Sequence, residues 1–341
     1  MVCGNLATPL RTLASDFVSD QPLMSVVIVT PDEFRTIQKT ISHLQSQTVR
    51  ENLEIIVVAP SLAGLRMDDG AMQGFARTTV VEAGQIISIG RANARGVRRA
   101  AAPIVALAED HCFPDPDWAE RLIESHRGPW AAVGPGVRNA NPGTHVSWAD
   151  FFIGYGPWLV PAEPKEVDFL PGHNSSYKRD ILLGYGDQLE AMLEAETLLH
   201  WDLRSKGYRL FHETAARVAH TNFSRWRSWL PLQVFNGRHF AALRARQMSL
   251  LRRLIYVCGS PLIPAVRLVR IIKNVLQHRS AKLLRHLIFC LPALAIGLVL
   301  DSFGQLLGYA FGPGRVVAHI KEYEFHRSRH ITQHDRELLF S

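Results

Sequence analysis

Two patterns that would point to familiar chemistry are missing from this 341-residue sequence. It has only four cysteines, and no two of them form a CxxC pair. This spacing excludes a zinc knuckle and a disulfide framework, and it indicates free thiols in a reducing compartment. No GxGxxG follows any early apolar run, so a dinucleotide-binding dehydrogenase is not expected.

A secretory signal is also missing. Residues 1–23 contain no uninterrupted apolar core, and they carry Asp16 and Asp20 where a basic region followed by an apolar one would be expected. We therefore predict a flexible N-terminal arm at 1–23 and a protein that is not exported by that route.

Acidic residues are absent between Glu213 and Asp301, whereas fourteen Arg or Lys fall in the same stretch. The whole chain has a formal net charge of +7, so the residues outside this stretch carry a net charge of −7. The sequence therefore predicts an acidic globular part joined to a strongly basic, apolar C-terminal part.

Short apolar runs alternate with helical patterns over the first 110 residues. Strands that are apolar throughout and alternate with helices predict an α/β fold with a mostly parallel, Rossmann-like sheet covered on both faces. In such sheets the ligand lies beyond the carboxyl ends of the strands. We expect strands at 25–30, 53–59, 79–81 with 86–88, and 104–108, and helices at 34–47 and 90–102.

Glu109, Asp110 and His111 follow the apolar run 104–108 and form the strongest local signal. Acidic and imidazole groups clustered at a strand end can hold a divalent cation that neutralises a diphosphate. The alternative is a polar turn that caps the helix beginning near Asp115.

Six segments between residues 25 and 220 resemble, in order, the motifs of family-2 glycosyltransferases of the GT-A fold. The first two match the family's nucleotide-binding strands, and the others match its "ARNxG" helix, its Asp-X-Asp motif, its "GGNxAFRRxxL" segment and its "EDxELxxRLxxxGYRL" segment. The resemblance implies an inverting enzyme that moves a sugar from a nucleotide-sugar donor to a hydroxyl acceptor. The acceptor is either a glycan or a lipid-linked molecule. The segments are SVVIVT, LEIIVVA, RANARGVRRAAAPIV, IVALAEDHCFPDPDW, LPGHNSSYKRDIL and EAETLLHWDLRSKGYRLFHETAARVAH.

The metal motif departs from the family pattern, because Glu109 and His111 stand where Asp-X-Asp is usual. Polypeptide N-acetylgalactosaminyltransferases, which share the fold, use an Asp-X-His motif with a second histidine downstream. This resemblance implies that Glu109, His111 and His220 bind Mn²⁺ or Mg²⁺, and two imidazoles favour Mn²⁺. For His220 the alternative is a buried structural histidine at a strand end.

An inverting transfer also needs a base near the acceptor hydroxyl. The family's "ED" pair implies that Glu196 is this base, with Glu194 as the reserve. The alternative interpretation is a solvated acidic helix start in LEAMLEAE.

Eight further positions are expected to contact the nucleotide sugar. Ala59 stands where many relatives have an Asp that contacts the base or ribose, which weakens the expectation of a UDP donor. Arg91 and Arg95 lie near a helix start, where a phosphate is favoured, although an exposed basic helix explains them equally well. The eight positions are Thr30, Pro31, Ala59, Arg91, Arg95, Asp110, Gly172 and Asn174.

The aromatic stretch 146–161 has two interpretations: a wall or lid on the acceptor side, or core packing. Residues 287–300 are uncharged and mainly apolar, but they are shorter than the roughly 20 residues that span a bilayer. Extension to residue 311 gives enough length, but it places Asp301 and Gln305 inside the membrane. A membrane-spanning helix and a re-entrant or interfacial pair of helices are therefore both possible interpretations. The basic, apolar segment 250–285 predicts contact with an anionic membrane surface rather than with nucleic acid.

The sequence thus predicts four parts: an N-terminal arm at 1–23, a GT-A domain at 24–222, a helical membrane-associated region at 223–312 and a polar C-terminal tail at 313–341. The function implied is an inverting, metal-dependent glycosyltransferase at the cytoplasmic side of the inner membrane, acting on a cell-envelope polysaccharide. The competing hypothesis is a catalytically silent, membrane-bound family member that binds a nucleotide or a glycan.

Overall fold

The structure, a computed structural model, describes residues 21–160, 162–246 and 248–340. Residues 1–20 of the expected N-terminal arm lie outside the described residues.

Nine strands of the described residues form one sheet, in the order β3-β2-β1-β4-β8-β6-β9-β5, with β7 paired to β9. Strands β1 to β4 are mutually parallel, whereas β8 runs antiparallel to both β4 and β6. Strand β9 is parallel to β6 and antiparallel to β5 and β7. The strands are β1 (Met24–Val29), β2 (Leu53–Ala59), β3 (Arg77–Glu82), β4 (Ile104–Ala108), β5 (Cys112–Pro114), β6 (Trp130–Asn139), β7 (Lys165–Val167), β8 (Ser176–Lys178) and β9 (Arg209–His220).

Helices cover both faces of the sheet and form the C-terminal region. They are α1 (Gln38–Gln45), α2 (Leu62–Leu65), α3 (Ile89–Arg99), α4 (Trp118–Ser125), α5 (His145–Tyr155), α6 (Arg179–Leu183), α7 (Leu189–Leu193), α8 (Glu196–Ser205), α9 (Trp226–Ala245), α10 (Leu250–Gly259), α11 (Ile263–Gln277), α12 (Ala281–Phe311), α13 (Val316–Phe325) and α14 (Gln333–Phe340).

The expected α/β fold with a C-terminal helical region is confirmed, and three of the four expected strands are β1, β2 and β4. Each of these three is buried along nearly its whole length, as a strand covered on both faces should be. The second half of the sheet is mixed rather than mostly parallel. The third strand, expected in two pieces, is the single strand β3, because residues 86–88 form the loop in which Ser88 caps α3.

Helix α3 packs on the central strands of the sheet, next to the edge where the candidate site lies. Its N-terminal residue Ser88 accepts a hydrogen bond from the backbone of Arg91, at 3.0 Å. Gly96 lies so close to Val27 of β1 that any side chain there would collide with it. The glycine therefore allows the helix to lie directly on the central strand.

The aromatic stretch of α5 packs against the C-terminal helix α12. Phe151 and Phe152 are buried, and Trp148 stacks on His286 with ring centroids 3.9 Å apart. Core packing therefore explains these rings, whereas Tyr155 reaches the site described below, where its ring lies 4.4 Å from that of His220.

Helices α9 and α12 pack backbone to backbone. A Cβ atom on Gly237 would collide with the carbonyl group of Asp301, and one on Gly304 would collide with that of Val234. Small residues at such a crossing let two helices approach closely, as they do in membrane-embedded helix pairs.

Two helical stretches are long and apolar enough to cross a membrane, judged by length and composition. They are Leu250–Gln277, with 28 residues and 11% of its most apolar window buried, and Ala281–Phe311, with 31 residues and 33% buried. A core helix of a soluble protein would be mostly buried, whereas most residues of these two windows are not, although Val275 and Leu294 do pack inside. Leu250, Ile255 and Ile288 are among the exposed ones.

Asp301, the one acidic residue of α12, has a partner inside the protein. Its carboxylate lies 2.5 Å from the Arg267 guanidinium of α11 and 2.7 Å from the Gln305 amide. The carboxylate is therefore not exposed to an apolar surrounding, which removes the objection that an unpaired acid would raise against a membrane helix.

We predict that Arg267→Ala lowers the free energy of unfolding by about 3 kcal/mol, because it leaves the buried Asp301 charge without a counter-charge. The double variant Arg267→Ala/Asp301→Asn should recover most of this loss, and Arg270→Ala, an exposed residue on the same helix, should change little. Chemical unfolding of the purified protein in detergent measures all three. A double variant that is no more stable than Arg267→Ala would contradict the pairing.

Residues 313–340, expected to be a polar tail, fold back onto the sheet as α13, a 3-10 turn at Arg327–Arg329 and α14. Ser224 donates a hydrogen bond to Asp335 and accepts one from the backbone of Thr332, at 2.9 Å. His326 Nδ1 lies 3.2 Å from the Asp32 carboxylate, in the turn after β1. We call residues 313–340 the C-terminal strap, since they lie across the carboxyl edge of the parallel strands.

Candidate metal centre and active site

The pairing of β5 with β9 brings the two candidate ligand histidines together. Cys112, the residue after His111, lies opposite His220 in this antiparallel pair, and Thr221 donates a backbone hydrogen bond to the His111 carbonyl, at 2.9 Å. Glu109 comes from the end of β4. The three residues expected to bind metal thus lie together, two of them just after the end of β4 and the third at the end of β9.

The ligand atoms of Glu109, His111 and His220 all lie within 4.8 Å of one another. Glu109 Oε2 is 3.8 Å from His111 Nε2 and 3.5 Å from His220 Nε2. Both Nε2 atoms are buried and have no hydrogen-bond partner in the described part of the chain.

Each imidazole is oriented by a bond at its other nitrogen. His111 Nδ1 lies 2.5 Å from the Asp110 carboxylate, and His220 Nδ1 lies 3.0 Å from the Asn222 side-chain oxygen. If each Nδ1–H donates to its oxygen acceptor, the lone pair of each Nε2 faces Glu109. This is the arrangement in which histidines bind metals in proteins.

The pKa shifts favour the ligand forms of these side chains. Burial lowers the pKa of His111 to about 3 and that of His220 well below its ordinary value, so both rings are neutral. Burial opposes the charge of Glu109, but the neighbouring imidazoles, Arg327 and a hydrogen bond from Asn174 together lower its pKa. Two neutral imidazoles and a carboxylate therefore form a donor set that suits a divalent transition metal.

Asn174, expected to contact the donor, holds Glu109 in place. It has a left-handed backbone, with φ of 65°, and its side-chain amide donates to Glu109 Oε2 at 3.1 Å. Thr40 donates to the Glu109 carbonyl at 3.1 Å. Asp110, also an expected donor contact, orients His111 as described, and burial beside Glu109 raises the pKa of Asp110 to about 7.

Glu196 lies next to this cluster, with His173 between them. His173 Nε2 is 3.1 Å from Glu196 Oε1 and 4.0 Å from Glu109 Oε1. Burial raises the pKa of Glu196, although the His173 charge opposes the rise. Burial also opposes the charge of His173, but Glu196 and Glu109 outweigh it and raise the His173 pKa to about 9.

Gly172 lies directly against Glu196, since a Cβ atom there would be 2.9 Å from Glu196 Oε2. The close approach expected of this glycine is therefore made toward the candidate base. His173 was not among the sequence candidates, and its only signal was its position between Gly172 and Asn174.

Glu194, the reserve base, is engaged elsewhere. Its carboxylate accepts hydrogen bonds from the Ser88 hydroxyl and from the Gly90 backbone, the latter at 3.1 Å. Both donors lie at the N-terminus of α3, where a negative charge is favoured.

Three of the remaining residues that were expected to contact the donor lie at the ends of β1 and β2. Pro31 lines the cavity beside the metal cluster, and Thr30, buried behind it, bonds its hydroxyl to that of Thr36 at 2.8 Å. Ala59 is fully buried at the end of β2.

The two arginines of α3 are bound to other residues. Arg91 pairs with Glu190 at 3.0 Å, and Arg95 donates to the Ala83 carbonyl at 2.6 Å. The polar residue of α3 that lines the cavity is Asn93, whose buried side-chain oxygen has no partner in the described residues.

Two neighbouring cavities meet at this site. The smaller, of about 30 Å³, lies between the turn after β1, the metal cluster and the strap, and it includes Arg327. The larger, of about 280 Å³, lies between the start of α8, α9 and α13, with Glu196 in its wall. Ile89, Glu324 and Phe325 line both.

Comparison with protein-family models and with curated proteins gave no match. Among solved structures, the chain is similar to GalNAc-T7 with UDP, GalNAc and Mn²⁺, at 13% identity and a TM-score of 0.43, over 60% of this chain and 45% of that chain. It is also similar to the mannosyltransferase PcManGT from Pyrobaculum calidifontis in complex with GDP-Man and Mn²⁺, at 16% identity and a TM-score of 0.49, over 88% of this chain and 87% of that one. These likenesses are to metal-containing glycosyltransferases, concern the fold alone and do not single out family 2.

Proposed function

We propose that the chain is an inverting glycosyltransferase of the family-2 type, which moves a sugar from a nucleotide-sugar donor to a hydroxyl acceptor. One observation carries this proposal. A carboxylate and two imidazoles with unpartnered Nε2 atoms meet at the carboxyl edge of a parallel sheet, and a second buried carboxylate, Glu196, lies just beyond them.

Glu109, His111 and His220 would hold the divalent cation, and their two nitrogen donors favour Mn²⁺ over Mg²⁺. A cation bound there supplies the positive charge that stabilises a departing diphosphate. Asp110 and Asn222 keep the two rings in the required orientation.

Glu196 acts as the general base. It accepts the proton of the acceptor hydroxyl while that oxygen attacks the anomeric carbon and the bond from this carbon to the donor diphosphate breaks. Its raised pKa makes it a stronger base than an ordinary carboxylate, and His173 holds it in position. The attack comes from the face opposite the leaving nucleoside diphosphate, so the configuration is inverted.

The donor diphosphate would bind at the smaller cavity, which is too small to enclose a whole nucleotide sugar, and the acceptor would lie in the larger one, because Glu196 faces the latter. Apolar side chains such as Phe240, Leu243 and Ile320 line the larger cavity and favour an acceptor with an apolar part. A lipid-linked acceptor fits this lining, and a glycan that is built on a lipid fits it too.

We also propose that the chain acts at the cytoplasmic face of the inner membrane, in the making of a cell-envelope polysaccharide. The outward-facing apolar residues of α10 to α12 would enter the bilayer. Exposed basic residues of α11 and α12, such as Arg270, Lys273 and Lys282, would contact anionic lipid headgroups.

The test is turnover of a panel of nucleotide sugars by the detergent-purified protein with Mn²⁺, with and without membrane lipid extract as the acceptor source. Release of nucleoside diphosphate by the native chain, and its loss in His111→Ala, is the expected result. The configuration of the transferred sugar, read by NMR, should be opposite to that of the donor. Nucleotide binding without any release would favour the silent, binding member of the family instead.

A further inference from the structure

Arg327 is a buried cation that forms no ion pair in the described residues, although Glu109 lies near enough for the Arg327 charge to help lower its pKa. Only 8% of the residue is exposed. Its guanidinium makes no ion pair and no side-chain hydrogen bond with any residue in 21–160, 162–246 or 248–340, and its Nε atom is buried without a partner. A guanidinium stays charged in proteins, so burial of this group without an anion costs several kcal/mol.

In the described residues, the guanidinium of Arg327 contacts an aromatic ring through its face, which leaves the edge with its N–H donors available. The group lies over the ring of Phe223, with its central carbon 3.8 Å from the ring centroid. Such a cation–π contact uses the face of the guanidinium, whereas the N–H donors point outward in its plane. The buried Nε donor therefore lacks an acceptor in the described residues, and the guanidinium fork stays available to a ligand.

The position of Arg327 indicates which ligand this is. It lines the smaller cavity together with Pro31, Asn93, Glu109 and His111. The planar fork of a guanidinium matches two oxygens of a phosphate group. An anion with phosphate oxygens would reach Arg327 and the metal cluster from the same cavity.

The strap holds this arginine over the site from both sides. The residue before it, His326, lies 3.2 Å from the Asp32 carboxylate in the turn after β1. Two residues after it, the carbonyl of Arg329 accepts a hydrogen bond from Arg225 at 3.1 Å. The turn at Arg327–Arg329 is thus fastened to the sheet edge and to the start of α9.

We propose that Arg327 binds the diphosphate of the donor, so that the C-terminal strap completes the donor site. This inference rests on the proposed function, because it assigns a ligand to the cavity beside the metal cluster. Arg327 then neutralises charge on the departing diphosphate from the side of the strap, while Glu109, His111 and His220 face it from the sheet.

The test measures binding of inorganic diphosphate, with and without Mn²⁺, by titration calorimetry on the full-length protein in detergent. Arg327→Met should weaken diphosphate binding by about 10- to 100-fold, because it removes charge-assisted hydrogen bonds. Arg327→Lys should fall between this variant and the native chain. Arg329→Met, which removes an exposed arginine of the same turn, should bind as the native chain does. Mn²⁺ binding without diphosphate should not weaken in any of the three.

Thermal unfolding separates a ligand-binding role from a structural one. Without ligand, Arg327→Met should lose little stability, because Arg327 forms no ion pair in the described residues and methionine can keep a contact with the Phe223 ring. Diphosphate should raise the unfolding midpoint of the native chain far more than that of the variant. Equal diphosphate affinity in native and Arg327→Met protein would overturn this assignment alone. If the native chain fails to bind diphosphate in the presence of Mn²⁺, the donor site itself, and with it the proposed function, is wrong.

Discussion

Replacement of Glu196 by glutamine should lower the rate of sugar transfer by about 10²- to 10⁴-fold, the range typical of the loss of a general base. Glutamine keeps the size of the side chain and its proximity to His173, but it cannot accept the proton of the acceptor hydroxyl. Binding of Mn²⁺ and of inorganic diphosphate should persist, because neither depends on this carboxylate. Single-turnover measurement of nucleoside diphosphate release, with acceptor present, isolates the chemical step.

Two neighbouring glutamates make this prediction specific. Glu190→Gln removes an exposed carboxylate that pairs with Arg91 and Arg98, and it should leave the transfer rate unchanged. Glu194→Gln weakens the hydrogen bonds at the start of α3, so its main effect should be a lower unfolding midpoint. If Glu194→Gln loses the rate while its fold is intact and Glu196→Gln retains it, the roles of the two residues are reversed.

Most of the cluster of Glu109, His111 and His220 could be predicted from the sequence, because a general rule for parallel sheets locates the ligand edge. Strands such as 104–108 are apolar throughout, and their carboxyl ends must open toward the ligand. Glu109 and His111 follow directly from that rule. His220 needed the family resemblance, since only the pairing of β5 with β9 brings it within reach of the other two.

The helix face that serves the site was harder to predict. Arg91, Arg95 and Arg98 share one face of α3, and the basic charge made this face the natural choice for a phosphate. In the fold, Arg91 and Arg98 pair with Glu190, and Asn93 on another face lines the cavity. Periodicity groups residues into faces, but it does not tell which face turns toward the sheet edge.

His173 and Arg327 could not be predicted, for two different reasons. His173 has no charge pattern around it, and its role follows from two carboxylates that are distant in sequence. Arg327 lies in a segment whose polar composition suggests a tail. Its folding over the site depends on single long-range contacts, such as the hydrogen bond between Ser224 and Asp335, which leave no periodic signal.

Removal of either imidazole of the proposed metal site should have a comparably large effect. His111→Ala and His220→Ala should each weaken Mn²⁺ binding by more than about 100-fold, beyond the 10- to 100-fold that loss of an outer hydrogen bond causes. Transfer should fall by roughly 10³-fold, since several kcal/mol of charge stabilisation are lost. The signal of free Mn²⁺ in electron paramagnetic resonance measures binding without reference to activity.

The loss of Mn²⁺ affinity should be smaller for residues that lie farther from the cluster. Asp110→Ala, which removes the partner of His111 Nδ1, should weaken Mn²⁺ binding by only about 10- to 100-fold. His319→Ala removes an exposed histidine of α13 and should change nothing. Normal Mn²⁺ binding by His220→Ala would contradict the three-residue site and make His220 a buried structural histidine at a strand end. In that case its loss should lower the unfolding midpoint. A lower midpoint does not by itself separate the two roles, because His220→Ala also removes the Nδ1 contact with Asn222 and the ring contact with Tyr155. Mn²⁺ binding decides between them.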